Sequence, residues 1–188
     1  MIRCLEKSPE DIPSNIASQV DTNAVGNAEG INISTANLNM TNGSKIDAST
    51  FGQGNAGGIK IIASGNIIID EQDLEDNASS ITSQVDTNAV GNAGSVTIST
   101  TNLDLTNGGK IDASTFGRGN AGKVKIAALK DINADGSDAK DIPSGITSQV
   151  DITAVGDASG VTISTTNLNL SMVRGLMPAH LVKVMQEQ

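Results

Sequence analysis

The chain has 188 residues, a formal charge of −9, two aromatic residues (Phe51 and Phe116) and one cysteine, Cys4. The acidic balance argues against nucleic acid and anionic membrane surfaces, which select clustered Lys and Arg, and a lone cysteine excludes an internal disulfide. A hydrophobic content of 37% supports only a thin core, and an interior of Ile, Val, Leu and Ala needs no aromatic filling.

Residues 1–25 lack the charged start, apolar stretch and small-residue cleavage site of a signal peptide. No apolar run approaches the ~20 residues of a bilayer span, so membrane insertion is not expected. Residues 1–10 match no other part of the chain, and Cys4 is expected at a mobile end. From Asp11 the text repeats: Asp11-Ile12-Pro13-Ser14 returns at Asp141 to Ser144. Ser18-Gln19-Val20-Asp21 returns at Ser83 to Asp86 and at Ser148 to Asp151. The repeats begin in mid-unit, so the chain is expected to be a fragment or a short relic, with any export address outside it.

A glycine-asparagine turn opens at Gly26, Gly54, Gly91 and Gly119 and, as Gly-Asp, at Gly156. The intervals alternate between 28 and 37 residues, a super-repeat of 65. Periods of this size indicate stacked architectures. The short unit from Gly26 predicts three strands on the alternation Ile31/Ile33, Leu38/Met40 and Ile46/Ala48, with Asn42-Gly43 as a turn. The long unit from Gly54 predicts strands at Ile59/Ile61, Ile67/Ile69 and Ile81/Ser83/Val85, its extra residues falling mainly in the polar loop Asp70 to Ser79. Gly91 repeats the short unit (Val96, Ile98, Leu103, Leu105, Ile111, Ala113) and Gly119 the long one (Val124, Ile126, Ile132, Ile146, Val150). A third short unit carries Val161, Ile163, Leu168 and Leu170, and the pattern stops after Ser171. In the tail, 172–188, Pro178 to Glu187 predicts a short amphipathic helix with Leu181, Val184, Met185 and Gln188 along one side, which either covers the open last coil or is a relic terminus without a role.

Three short strands per unit, inward residues at i and i+2 and glycine corners predict an all-β fold. It is a single-stranded parallel β-helix over 11–171 with about five coils, a rod of about 25–30 Å at the usual strand spacing. An antiparallel sandwich also has short strands and turns. Against it, residues 37–63 and 102–128 agree at 20 of 27 positions, exposed ones included. The corner residues Asn27, Asn55, Asn92 and Asn120 are predicted to form a structural ladder of stacked amides. Ser83 and Ser148 take inward positions held elsewhere by Ala48 and Ala113, so each hydroxyl requires a backbone partner.

The text Leu105 to Gly122, Leu-Thr-Asn-Gly-Gly-Lys-Ile-Asp-Ala-Ser-Thr-Phe-Gly-Arg-Gly-Asn-Ala-Gly, and its copy at Met40 to Gly57 resemble the repeats of filamentous-haemagglutinin-like proteins, the exported passengers of bacterial two-partner secretion. The resemblance covers roughly residues 11–171. It implies a right-handed β-helix, a secreted or cell-surface location, an adhesive role and no catalytic site. Cell-surface glycans or proteins are the implied partners, and an outer-membrane transporter is a partner only of a full-length parent.

Candidate sites each have a plainer reading. Lys45, Asp47, Lys110 and Asp112 flank inward isoleucines and point outward, with Thr82 between the two carboxylates. They read as ladder charges rather than a catalytic pair, which needs a cleft. The acidic loop of Asp70, Glu71, Asp73, Glu75 and Asp76 matches no calcium-loop spacing. Thr97, Ser99, Thr162 and Ser164 suggest an ice-binding face that Lys60 and Lys125 interrupt. His180 lacks a second ligand, and Cys4 lacks a His partner. The expectation is therefore a non-enzymatic structural or adhesive segment without cofactor or metal. A polysaccharide-active β-helix enzyme and an ice-binding protein are the alternatives.

Overall fold

A computed structural model describes residues 2–4, 14–70, 78–136, 143–170 and 182–186. Seventeen short strands follow one another around three faces. The first face is the sheet of β1 (Ile2–Cys4), β4 (Leu38–Met40), β7 (Asn66–Asp70), β10 (Asn102–Thr106), β13 (Asp131–Asp135) and β16 (Asn167–Leu170). The second is β2 (Asn15–Ala17), β5 (Lys45–Asp47), β8 (Ser80–Thr82), β11 (Lys110–Asp112) and β14 (Gly145–Thr147). The third is β3 (Ile31–Thr35), β6 (Ile59–Ala63), β9 (Val96–Thr100), β12 (Val124–Ala128), β15 (Val161–Thr165) and β17 (Val182–Gln186). Neighbours within every sheet are parallel and come from successive coils. This is a parallel β-helix of three strands per coil and about five coils.

Period-two alternation decides which side chains enter the rod. Each repeated apolar pair stands over its counterpart: Ile59 over Val96 over Val124, and Ile67 over Leu103 over Ile132. These columns form one continuous buried cluster from Ile31 to Ile163. The interior is so narrow that Ile46, Ile81 and Ile111, stacked on the second face, are wholly buried without an aromatic neighbour to fill space.

The corners require glycine for a measurable reason. Gly54, Gly91, Gly119 and Gly156 have φ between +138° and +157°. A Cβ on Gly54, Gly91 or Gly119 would lie 1.6, 2.0 or 1.7 Å from the carbonyl oxygen of the glycine one coil earlier. The corner strand spacing is thus attainable only with hydrogen there.

Two expectations about the ends are corrected. The predicted C-terminal helix is absent where the structure describes it: Val182–Gln186 is a strand, paired in parallel with β15 so that Val182 meets Val161 and Val184 meets Ile163. Pro178 to Leu181 lie outside the described residues. Val182-Lys183-Val184 alternates with period two as well as helically, β-branched valines favour strands, and the edge of β15 supplies the N–H and C=O partners that decide between the two. Cys4 likewise does not lie in a loose end. Ile2–Cys4 pairs with Leu38–Met40 as the first strand of the first face.

Candidate functional site

The outer surface is where function has to be sought, and its most regular feature is the asparagine corner. Asn55 donates its backbone N–H to Asn27 Oδ1 at 2.8 Å, Asn92 to Asn55 Oδ1 at 2.8 Å, and Asn120 to Asn92 Oδ1 at 2.8 Å. Asp157 continues the column onto Asn120 Oδ1 at 2.9 Å. The links therefore run from side-chain oxygen to backbone N–H, not from amide to amide. The glycine before each asparagine lets the two backbones close up, and the side chain then satisfies a donor that the sheet ladder does not reach.

Just inside this corner the alternation of alanine and serine has a structural meaning. In the alanine coils Gly57 and Gly122 donate directly to Ala48 O and Ala113 O, each at 2.7 Å. In the serine coils Ser83 Oγ takes that place, accepting from Gly94 N–H at 2.8 Å and donating to Gly57 O at 2.8 Å. Ser148 repeats the arrangement with Gly160 N–H at 3.1 Å and Gly122 O at 2.7 Å. These hydroxyls are buried and paired on both sides.

On the second face, Asp47 and Asp112 each stand opposite Thr82, as the repeat spacing predicts. Asp112 accepts from Ser114 N–H, from Ser114 Oγ and from Gln84 Nε2. Asp47 makes the same contacts with Ser49 and Gln19. Ser49 and Ser114 also accept from the Gln84 and Gln149 N–H groups of the next coil. With two strand spacings, about 10 Å, between them, the carboxylates do not converge: each is held by the serine of its own coil and the glutamine of the coil before. Lys45, Lys110, Gln84 and Phe51 complete a shallow groove over this face. It gathers cations, carboxylates and one aromatic side chain.

The first face carries ladders that the sequence reading missed. Asn102 Nδ2 donates to Asn66 Oδ1 and Asn167 Nδ2 to Asp131 Oδ1, at 2.8 and 2.7 Å. One pleat further, Asn133 Nδ2 donates to Asp104 Oδ1 and Asn169 Nδ2 to Asn133 Oδ1. The signal was present in the polar alternate positions of Asn102-Leu103-Asp104-Leu105 and Asp131-Ile132-Asn133-Ala134. On the third face the register sets Lys60 beside Thr97, Lys125 beside Thr97 and Thr162 beside Lys125, so the hydroxyl rows are interrupted at every second coil. A second groove follows the corner between the third and first faces. There Thr101 and Thr166 turn their hydroxyls back onto Ser64 O and Leu129 O.

Comparison with family models, curated proteins and solved structures returns no match. The reading of this surface therefore rests on its own chemistry. Among the described residues no group of three or more His, Cys, Asp or Glu side chains gathers where it could hold a metal ion. Glu71 to Asp76 of the acidic loop, and His180, lie outside the described residues. Asp70, at the start of that loop, accepts from Thr106 Oγ1 and Asn107 Nδ2. Asp151, on an exposed turn, is held below its ordinary pKa by the Thr153 N–H, at 3.0 Å, and by the Thr153 hydroxyl, at 2.8 Å. It is a turn-stabilising carboxylate.

Proposed function

We propose that this chain is a non-enzymatic structural or adhesive β-helix segment of an exported, haemagglutinin-like surface protein. One observation carries the reading. The outward polar groups recur along the rod and hydrogen-bond to their counterparts one coil away, on the corner through Asn27, Asn55, Asn92 and Asn120 and on the first face through Asn66, Asn102, Asn133 and Asn169. Side chains engaged in this way stiffen a scaffold. They also present the same surface at fixed intervals, which suits weak contacts multiplied along a rod. Cell-surface glycans or proteins are the partners that fit such use, and a full-length parent would also engage an outer-membrane transporter.

The test compares the chain with a version lengthened by one further 65-residue super-repeat, using a glycan array and whole cells. Binding that strengthens with length supports adhesion through repeated contacts. Absence of binding in both forms, or cleavage of any polysaccharide on the array, overturns the reading.

A further inference from the structure

Two Asn-Gly pairs occupy equivalent turns between the first and second faces, and the rod holds them differently. Asn42 and Asn107 both have left-handed backbones, with φ of 55° and 49°, and the following Gly43 and Gly108 have φ of 71° and 88°. Around Asn107 the turn is tethered twice. Its Nδ2 donates to Asp70 Oδ1 at 2.8 Å, and Gly108 N–H donates to Ser144 Oγ at 3.0 Å. Ser144 is itself fixed by donating to Asp135 O at 2.9 Å. Neither tether exists at the other turn. Among the described residues neither the Asn42 amide nor the Gly43 N–H makes a hydrogen bond. Ser79, which takes the place of Ser144 one super-repeat earlier, has a buried Oγ without a partner among the described residues.

Asn-Gly is the pair most open to intramolecular attack, because glycine puts no Cβ in the way of its own nitrogen. We propose that Asn42 is a site of spontaneous modification to aspartate and isoaspartate, and that Asn107 is protected from it. The Gly43 nitrogen loses its proton and forms a bond to Asn42 Cγ. The side-chain nitrogen leaves as ammonia, giving a cyclic imide. Water then adds to one imide carbonyl and breaks one of the two C–N bonds, giving aspartate or isoaspartate. The net change consumes one water, releases one ammonia and involves no oxidation. At Asn107 the ring cannot close until the bonds to Asp70 and Ser144 are broken. Each conversion adds a negative charge at the turn entering the second face, beside Lys45, and the isoaspartate form lengthens the main chain by one carbon.

Solvent exposure ranks the two sites the other way, since Asn107 is exposed and Asn42 half-buried, so the experiment separates tethering from access. The whole folded chain is incubated at mildly alkaline pH in water enriched in heavy oxygen. The tryptic peptides ending at Lys45 and Lys110 are then followed by mass spectrometry, with fragment ions locating the label. Asn42 is expected to convert several-fold faster than Asn107 in the folded chain, and the two at similar rates in denaturant. Ser144→Ala is expected to raise the Asn107 rate. Equal rates in the folded chain, a faster Asn107, a difference that persists in denaturant, or no effect of Ser144→Ala would each overturn the assignment.

Discussion

At Thr50 and Thr115 the rod contains a flaw that its own repeats show how to repair. Both side chains are wholly buried, and among the described residues neither Oγ1 has a hydrogen-bond partner. They alternate with valine in a single column, Val20, Thr50, Val85, Thr115 and Val150, joined by parallel bridges. A buried hydroxyl without a partner is unfavourable relative to a methyl group of nearly the same shape. Thr50→Val and Thr115→Val are therefore expected to stabilise the fold by about 1 kcal/mol each, read as a rise in the urea midpoint at unchanged slope. A lowered midpoint would show that the hydroxyls have partners after all. Ser83 and Ser148 mark the contrast. They too interrupt an apolar column, but each bridges one coil to the next through two backbone groups, so the same substitution logic does not extend to them.

For single elements, the difference between what the text discloses and what it conceals follows from where each strand finds its partners. Ile59/Ile61 and Val96/Ile98 were readable as strands because their alternation repeats and each copy supplies the other's ladder. Register was readable for the same reason: a stack of near-identical units aligns like with like, and a slip of one residue would turn every inward isoleucine to solvent. The ladders on the first face were harder, because Asn66, Asn102, Asp131 and Asn167 are not one residue type, and polar strand residues ordinarily indicate only a solvated face. The tail was misread because its sequence supports two periods and its neighbour is not a repeat of itself. With Val182–Gln186 serving as the last strand of the third face, truncation after Leu181 is expected to expose the edge of β15. Amide exchange across Val161–Thr165 should then accelerate at least about tenfold, equivalent to about 1.4 kcal/mol. Unchanged protection there would mean that β17 contributes nothing to the edge it covers.

Across the whole molecule, stability is a matter of neighbours, since each coil touches only the coils before and after it. Damage should therefore depend on position along the axis as much as on chemistry, and the corner glycines permit a controlled comparison. At Gly91 an added methyl would meet the Gly54 carbonyl oxygen at 2.0 Å and its carbon at 2.5 Å, so two coils in the middle of the rod must separate. At Gly26 the backbone is similar, with φ of +156°, but nothing lies within 4 Å of the added carbon. Gly26→Ala therefore meets only the backbone preference, whereas Gly91→Ala meets that preference and a collision with backbone that has no rotamer to yield. Gly91→Ala is expected to cost at least about 3 kcal/mol and Gly26→Ala about 1 kcal/mol. The form of the transition carries the stronger test. A break at Gly91 removes the bond from Asn92 N–H to Asn55 Oδ1, so the coils on either side should lose amide protection at different denaturant concentrations and one unfolding step should become two. Gly26→Ala should leave a single transition. If both variants unfold in one step with equal loss, the coils are not coupled through their corners, and the stacking of Asn27, Asn55, Asn92 and Asn120 would accompany the fold without holding it together.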